Sequence, residues 1–179
     1  MKNILLISLF TITLFSCKKE VDELPPATQT GANTFGAKVG DKFWTPRGFG
    51  IAPTAPILEA TWASQGGIVR INARNFSSSP TETEMEIYLQ NVFAPGTFQL
   101  NQNTLKYPDQ SGNYAYYIER RFMPRNDWIT TSQHTGIVNI SKFDSVNKII
   151  SGTFQFSATS TDNTTSPLTV SDGRFDVRF

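Results

Sequence analysis

Thiols and imidazoles are nearly absent: the 179 residues hold one cysteine, Cys17, and one histidine, His134. Structural zinc needs four ligands drawn from Cys, His and carboxylates, and a Ser or Cys nucleophile needs a His base held by a third group. A lone His in an expected turn, with no Gly-x-Ser-x-Gly elbow anywhere, supplies neither. No intrachain disulfide can form from one cysteine. Charge of one sign is missing too. Sixteen Lys and Arg face fifteen Asp and Glu, for a formal net charge of +1, so no basic patch marks nucleic acid as a partner. No phosphate-binding glycine loop occurs. Asp144, Asn147, Asp162, Asn163 and Asp172 form no Asp-x-Asp-x-Asp-Gly calcium loop and read as turn formers. No metal site and no cofactor are expected. Helical periodicity is scarce, and no solenoid repeat is visible.

What is present begins at the amino terminus. Met1-Lys2-Asn3 is a short basic start, Ile4 to Phe15 is apolar apart from Ser8, Thr11 and Thr13, and Ser16 precedes Cys17. A spanning helix needs about 20 apolar residues, so this shorter run reads as a secretory signal peptide over residues 1–16. Ser16-Cys17 resembles a bacterial lipobox, which implies cleavage before Cys17 and diacylglycerol on its thiol. Each buried methylene contributes about 0.8 kcal/mol, so two or three acyl chains would make the attachment effectively permanent. Lys18, Lys19, Glu20, Asp22 and Glu23 follow. This order resembles the surface-export signal of lipoproteins from the Bacteroidota phylum, which implies the outer membrane and the cell surface, the periplasmic face being the alternative. Residues 17–33 read as the lipidated Cys and a flexible linker rich in Pro, Thr and Gln.

From Thr34 to Phe179, roughly 145 residues suffice for one domain with a core. Alternation dominates. Phe35–Val39 and Lys42–Pro46 read as a hairpin around Gly40-Asp41. Leu58–Ser64 pairs with Ile68–Phe76. Glu84–Phe93 follows, then Thr97–Leu100 and Tyr114–Phe122. Asp127–Gln133 and Ile137–Phe143 are expected to pair across His134-Thr135-Gly136. Ile149–Thr159 precedes Leu168–Val170, with Ser171-Asp172-Gly173 as a tight turn into Arg174–Phe179. The last segment should send Phe175, Val177 and Phe179 inward and Arg174, Asp176 and Arg178 outward. About ten short strands predict an antiparallel β-sandwich, with a closed lipocalin-like barrel as the alternative. Pairing of Phe35–Val39 with Arg174–Phe179 would separate the two.

Glu23-Leu24-Pro25-Pro26-Ala27-Thr28-Gln29-Thr30-Gly31-Ala32-Asn33-Thr34-Phe35-Gly36 is similar to the opening of an uncharacterised family of Bacteroidota lipoproteins. Gly136-Ile137-Val138-Asn139-Ile140, Ile150-Ser151-Gly152-Thr153-Phe154 and Asp172-Gly173-Arg174-Phe175-Asp176-Val177 agree with it. The resemblance implies membership and fold class but carries over no activity. Residue 37 is Ala where such proteins often have Cys, so no thiol role transfers.

Two acids and the aromatic residues are the remaining candidates for chemistry. Glu84 and Glu86 sit two apart on one strand, about 7 Å by strand rise, a spacing compatible with a glycosidase pair. They flank core-facing Met85, so a solvated edge is expected. Glu119 beside Arg120 and Arg121 reads as a surface ion-pair cluster. Tyr107, Tyr117 and Trp128 are the expected exposed rings for stacking on a sugar or anchoring a protein. Asp144-Ser145-Val146 matches an Asp-Ser-apolar O-glycosylation pattern, which makes Ser145 a candidate site. The expected function is a non-catalytic binding or accessory module for a glycan or an outer-membrane protein. A structural or assembly lipoprotein is the alternative, and a glycan hydrolase is the third reading.

Overall fold

Alternating side chains and closely spaced turn residues build strand after strand, and a computed structural model places them. It describes residues 22–48, 56–77, 82–120, 126–162 and 166–179. The strands are β1 (Thr34–Val39), β2 (Lys42–Trp44), β3 (Leu58–Ala63), β4 (Ile68–Asn75), β5 (Glu82–Leu89), β6 (Gly96–Leu100), β7 (Tyr114–Arg120), β8 (Asn126–Ile129), β9 (Gly136–Asp144), β10 (Ile149–Ser160) and β11 (Leu168–Arg178). The fold is all-β, and no helix occurs among the described residues.

Every pairing of these strands is antiparallel, in the order β2-β1-β11-β10-β8-β7-β5-β4-β3, with β9 beside β10 and β6 beside β9. The twelve-residue β10 joins two layers. Its Ile149–Phe156 stretch pairs with β9, and on the same edge Thr159 and Ser160 pair with Ile129 and Trp128 of β8. The sheet therefore curls around one core without closing. β1 pairs with β11 along its length, the contact expected of a barrel. Yet β2 and β3 remain the ends of the strand order.

The core is the inner face of both layers. Phe35, Phe154, Phe156 and Phe175 meet Met85, Ile87 and Leu89 there, with Trp44, Tyr117 and Trp128. Phe35 lies 5.1 Å from Phe154 and 5.9 Å from Trp44, and Tyr117 lies 6.0 Å from Trp128 by ring centroids. At one end Trp62 packs on Phe143 at 5.3 Å and on Phe179 at 5.9 Å. Gly152 reflects a close approach. A Cβ there would stand 2.3 Å from the Asn139 carbonyl oxygen and 2.8 Å from the Phe175 ring. The β10–β9 register shifts between Ser151 and Gly152, as an irregularity at this glycine predicts.

Four expectations are corrected. β8 and β9 do not pair, because the two edges of β8 are taken by β7 and β10. Ser171-Asp172-Gly173 is not a turn. β11 runs on through it, one extra residue opposes both β1 and β10, and Asp172 takes φ 52°, which is a bulge. Residues 28–33 are held against the domain instead of ending a free linker. Asp176, expected outward and solvated, is 1% exposed because that segment covers it.

The covering segment is fastened by the outward face of β11. Asp176 accepts hydrogen bonds from Thr28 Oγ1 at 2.6 Å, Gly31 N at 2.8 Å, Thr30 N at 2.9 Å, Ala32 N at 3.2 Å, Thr30 Oγ1 at 3.3 Å and Ser151 Oγ at 2.7 Å. Arg178 donates to the Gly31 and Thr30 carbonyls, and Arg174 to that of Pro25. One carboxylate gathers the strap's N–H groups while flanking guanidiniums gather its C=O groups. Burial alone would raise the Asp176 carboxyl. The hydrogen bonds from Thr28, Ser151 and the strap amides outweigh it and hold the group far below the usual carboxylate range.

Candidate functional site

The face of β4, β5 and β7 turned away from the main core carries Arg70, Asn72, Glu84, Glu86, Tyr88, Tyr114, Tyr116 and Ile118. Register aligns them: Asn72 opposes Glu86, Glu86 opposes Tyr116, and Tyr88 opposes Tyr114. Glu84 and Glu86, expected on a solvated edge, are 3% and 1% exposed. The reason lies above them. The connection between β6 and β7 folds over this face, so that Gln110 Nε2 donates to the Tyr88 hydroxyl at 2.9 Å and Tyr107 N to the Tyr114 hydroxyl at 2.9 Å. Tyr88 and Tyr114 stack at 5.2 Å, and Tyr114 and Tyr116 at 6.1 Å. Tyr107 lies over the Arg70 guanidinium at 4.8 Å, and Lys106 reaches Asp127 at 2.7 Å.

Each acid is saturated. Glu86 accepts from Arg70 Nε at 2.6 Å, the Tyr114 hydroxyl at 2.7 Å and Asn72 Nδ2 at 3.1 Å. Glu84 accepts from the Tyr116 hydroxyl at 2.6 Å, Asn72 Nδ2 at 2.7 Å, and Arg120. Burial would raise the Glu84 carboxyl, but the bonds from Tyr116, Arg120 and Asn72 hold it below its usual value. Burial, and then the facing carboxylates, push the Tyr114 and Tyr116 phenols well above theirs. An acid held ionised cannot protonate a leaving group. The pair faces three guanidiniums, those of Arg70, Arg74 and Arg120, and fixes two phenols, those of Tyr114 and Tyr116; it is a second, polar core.

The remaining candidate residues scatter. Tyr107 is exposed as expected. Tyr117 and Trp128 are not: they are 4% and 7% exposed, because β7 is covered on both faces and the Trp128 indole turns inward to donate to the Ser166 carbonyl. Burial pushes the Tyr117 phenol up to about 12. His134 is half-buried with Nδ1 3.3 Å from Ser157 Oγ. Asp144 caps its own turn through Asn147 N at 2.8 Å, leaving Ser145 and Val146 exposed. Asp172 pairs with Lys38 at 2.8 Å. Among the described residues no group of three or more His, Cys, Asp or Glu could hold a metal ion. Asp22 and Glu23 are exposed, whereas Cys17, Lys18, Lys19, Glu20 and Asn163 lie outside the described residues.

The opening that the sequence did not announce is the seam between the two ends of the sheet. Residues 42–48 cross it: β2 pairs with β1, and Arg47 bridges to Asn75 of β4. Beyond that crossing a groove of about 700 Å³ runs along Ile57–Thr61 on one side and Asn33–Phe35 on the other, with Pro25, Pro46 and Arg178 at its rim. Its size falls within the roughly 300–1,000 Å³ of ligand pockets. β3 pairs with β4 over all six residues, and among the described residues nothing pairs with its other edge. β2 covers only Ala37–Val39 of β1, so the Thr34–Gly36 edge that faces the groove is likewise unpaired.

Comparison with curated proteins and with solved structures gives no match. Residues 55–176 match the family described as Domain of unknown function (DUF6252), a span from the start of β3 almost to the end of β11. The seam's β3 wall, the polar network of β4, β5 and β7, and Asp176 all lie within that span, and the chain belongs to this family.

Proposed function

We propose that this chain is a lipid-tethered binding module of the outer membrane, displayed outward, with no catalysis of its own and a protein as its partner. The single observation carrying this reading is the groove between β3 and β1, lined by Phe35, Leu58 and Ala60 and bordered by two strand edges that are unpaired among the described residues. The saturated Glu84 and Glu86 pair argues against a hydrolase, since every carboxylate oxygen already accepts a hydrogen bond. Burial of Tyr117 and Trp128 removes two of the three rings on which a glycan platform depended, and this moves the reading from sugar to protein. Attachment through Cys17 and export through the charges after it rest on the sequence alone.

Site-specific photocrosslinking tests the proposal. A photoreactive residue at Thr61, in the groove, should give one covalent protein adduct in the native outer membrane. The same residue at Asp109, in the covering loop, should not. Equal labelling at both positions, or none at Thr61, would remove the binding-module reading. Ser145 would carry a glycan on the same reading, and an intact mass accounted for by lipid alone would withdraw that part.

A further inference from the structure

Antiparallel pairing turns alternate residues of a strand toward one neighbour or the other. Arg74 N donates to the Ile57 carbonyl at 2.8 Å, which sets the phase of β3. Glu59, Thr61 and Ala63 exchange hydrogen bonds with β4, while Leu58, Ala60 and Trp62 direct N–H and C=O into the seam. The side chains of these same three residues point into the fold. Natural edge strands are commonly blunted by proline, lysine or a bulge. β3 has none of these over its six regular pairs.

Charge marks one end of the seam. Arg178 lines the groove and gives hydrogen bonds to three carbonyls, those of Gly31, Thr30 and Asn147. It forms no ion pair among the described residues. The other charged side chain on the rim, Glu59, is already matched to Arg74 at 3.1 Å. An occupant of this groove therefore meets ladder groups that are free among the described residues along one wall, an apolar floor, and at its end a guanidinium with no ion partner among those residues.

We infer that the seam takes an extended peptide segment of the partner by strand addition to β3, with apolar residues at alternate positions and a carboxylate placed on Arg178. This deepens the binding-module reading and rests on it. Main-chain hydrogen bonds to Leu58 and Ala60 supply affinity, and the alternating floor of Phe35, Leu58 and Ala60 selects side chains.

The test uses the full chain in detergent and a displayed library of random twelve-residue peptides. The selected peptides should alternate apolar and polar residues and carry Asp or Glu near one end. N-methylation of a synthetic hit should weaken binding on the order of tenfold when it blocks amides of one alternating set, and far less for the other set, because each blocked amide leaves a β3 carbonyl unpaired. Ala60→Pro removes an edge N–H without touching the β4 ladder, a place where proline is tolerated. It should weaken binding similarly at an unchanged melting temperature. Changing the peptide's acid to its amide should lower affinity at wild-type Arg178.

Hits that tolerate N-methylation at every amide, or no hits at all, would overturn strand addition. The methylated peptides decide this even if Ala60→Pro fails to fold. Crosslinking at Thr61 alongside such a result would keep the binding module and discard only its mode. Failure of both would discard the two together.

Discussion

Replacing Asp176 by asparagine removes the charge and one of the two acceptor oxygens from a side chain that holds six donors. The Oδ2 atom takes Thr28 Oγ1, Thr30 N, Thr30 Oγ1 and Ala32 N. An asparagine amide in that place turns its own N–H toward them. The hydroxyls can rotate to accept, but the two backbone amides cannot. Orphaning a buried donor costs about 1–3 kcal/mol, and hydrogen bonds to a charged acceptor are worth about 1.5–3 kcal/mol. Because the strap is only partly buried, the structure points to a loss of about 3 kcal/mol, which for a domain of this size lowers the melting temperature by roughly 6–12 °C. Thermal unfolding of Asp176→Asn at neutral pH measures that loss. Amide hydrogen exchange localises it, because Thr30, Gly31 and Ala32 should lose protection before β10 does. The pH dependence has a definite sign. The folded carboxyl lies below its ordinary value of 3.8, so its contribution is complete above that pH and is lost as pH falls through the folded value. Wild type and variant should therefore converge only in strong acid. A melting point within about 2 °C of wild type, less than 1 kcal/mol, or unchanged exchange at Thr30–Ala32, would refute the strap account.

Glu86→Gln should destabilise the domain by about 3 kcal/mol, the low end for breaking a buried ion pair, since Arg70 keeps some access to water; a chemical denaturation midpoint equal to wild type would contradict this. Gly152→Ala pushes a methyl against the Asn139 carbonyl and the Phe175 ring. It should cost about 3 kcal/mol, the upper range for overpacking, read as a lower melting temperature. Tyr114, Tyr116 and Tyr117 stay protonated above the usual tyrosine value of 10, whereas the unfolded chain releases those protons. Stability should therefore fall as pH rises past 10, and an ultraviolet titration should show these three phenols ionising late, together with unfolding. Ordinary ionisation of all the tyrosines without unfolding would contradict the buried network.

Alternation located the strands well, because period two survives whatever covers each face. Met85, Ile87 and Leu89 face the main core as their spacing implies. What alternation does not reveal is whether the opposite face is wet. Glu84 and Glu86 read as outward, and they face away from the main core; on β7 the faces are reversed, since Tyr117, expected exposed, enters the main core while Tyr114 and Tyr116 join the two acids. They are dry because the connection between β6 and β7, with Tyr107 and Gln110, folds back over them, and alternation within a strand carries no sign of what a connection covers. Asp176 repeats the pattern: its place on β11 was legible, but the strap that buries it lies 144 to 148 residues earlier in the chain. A signal was available in principle, since Glu-x-Glu and Tyr-x-Tyr-Tyr on strands of equal phase make a charged and aromatic face too rich for a solvated one. Asp172 was misread for a local reason. Asp-Gly favours positive φ in a turn and in a bulge alike, and only the partners on both sides of β11 decide between them. The seam had no sequence signature at all, because it consists of pairings that β3 and β1 do not make among the described residues.

Amide hydrogen exchange of the full chain, in native outer-membrane vesicles and after transfer to detergent, tests the central claim most directly. If a partner segment occupies the seam, the amides of Leu58, Ala60 and Trp62 exchange slowly in the vesicles and fast in detergent, while those of Glu59 and Thr61, bonded to β4, stay slow in both. Fast exchange of Leu58, Ala60 and Trp62 in both settings would mean that the seam stays empty in the membrane, and the binding account would fall.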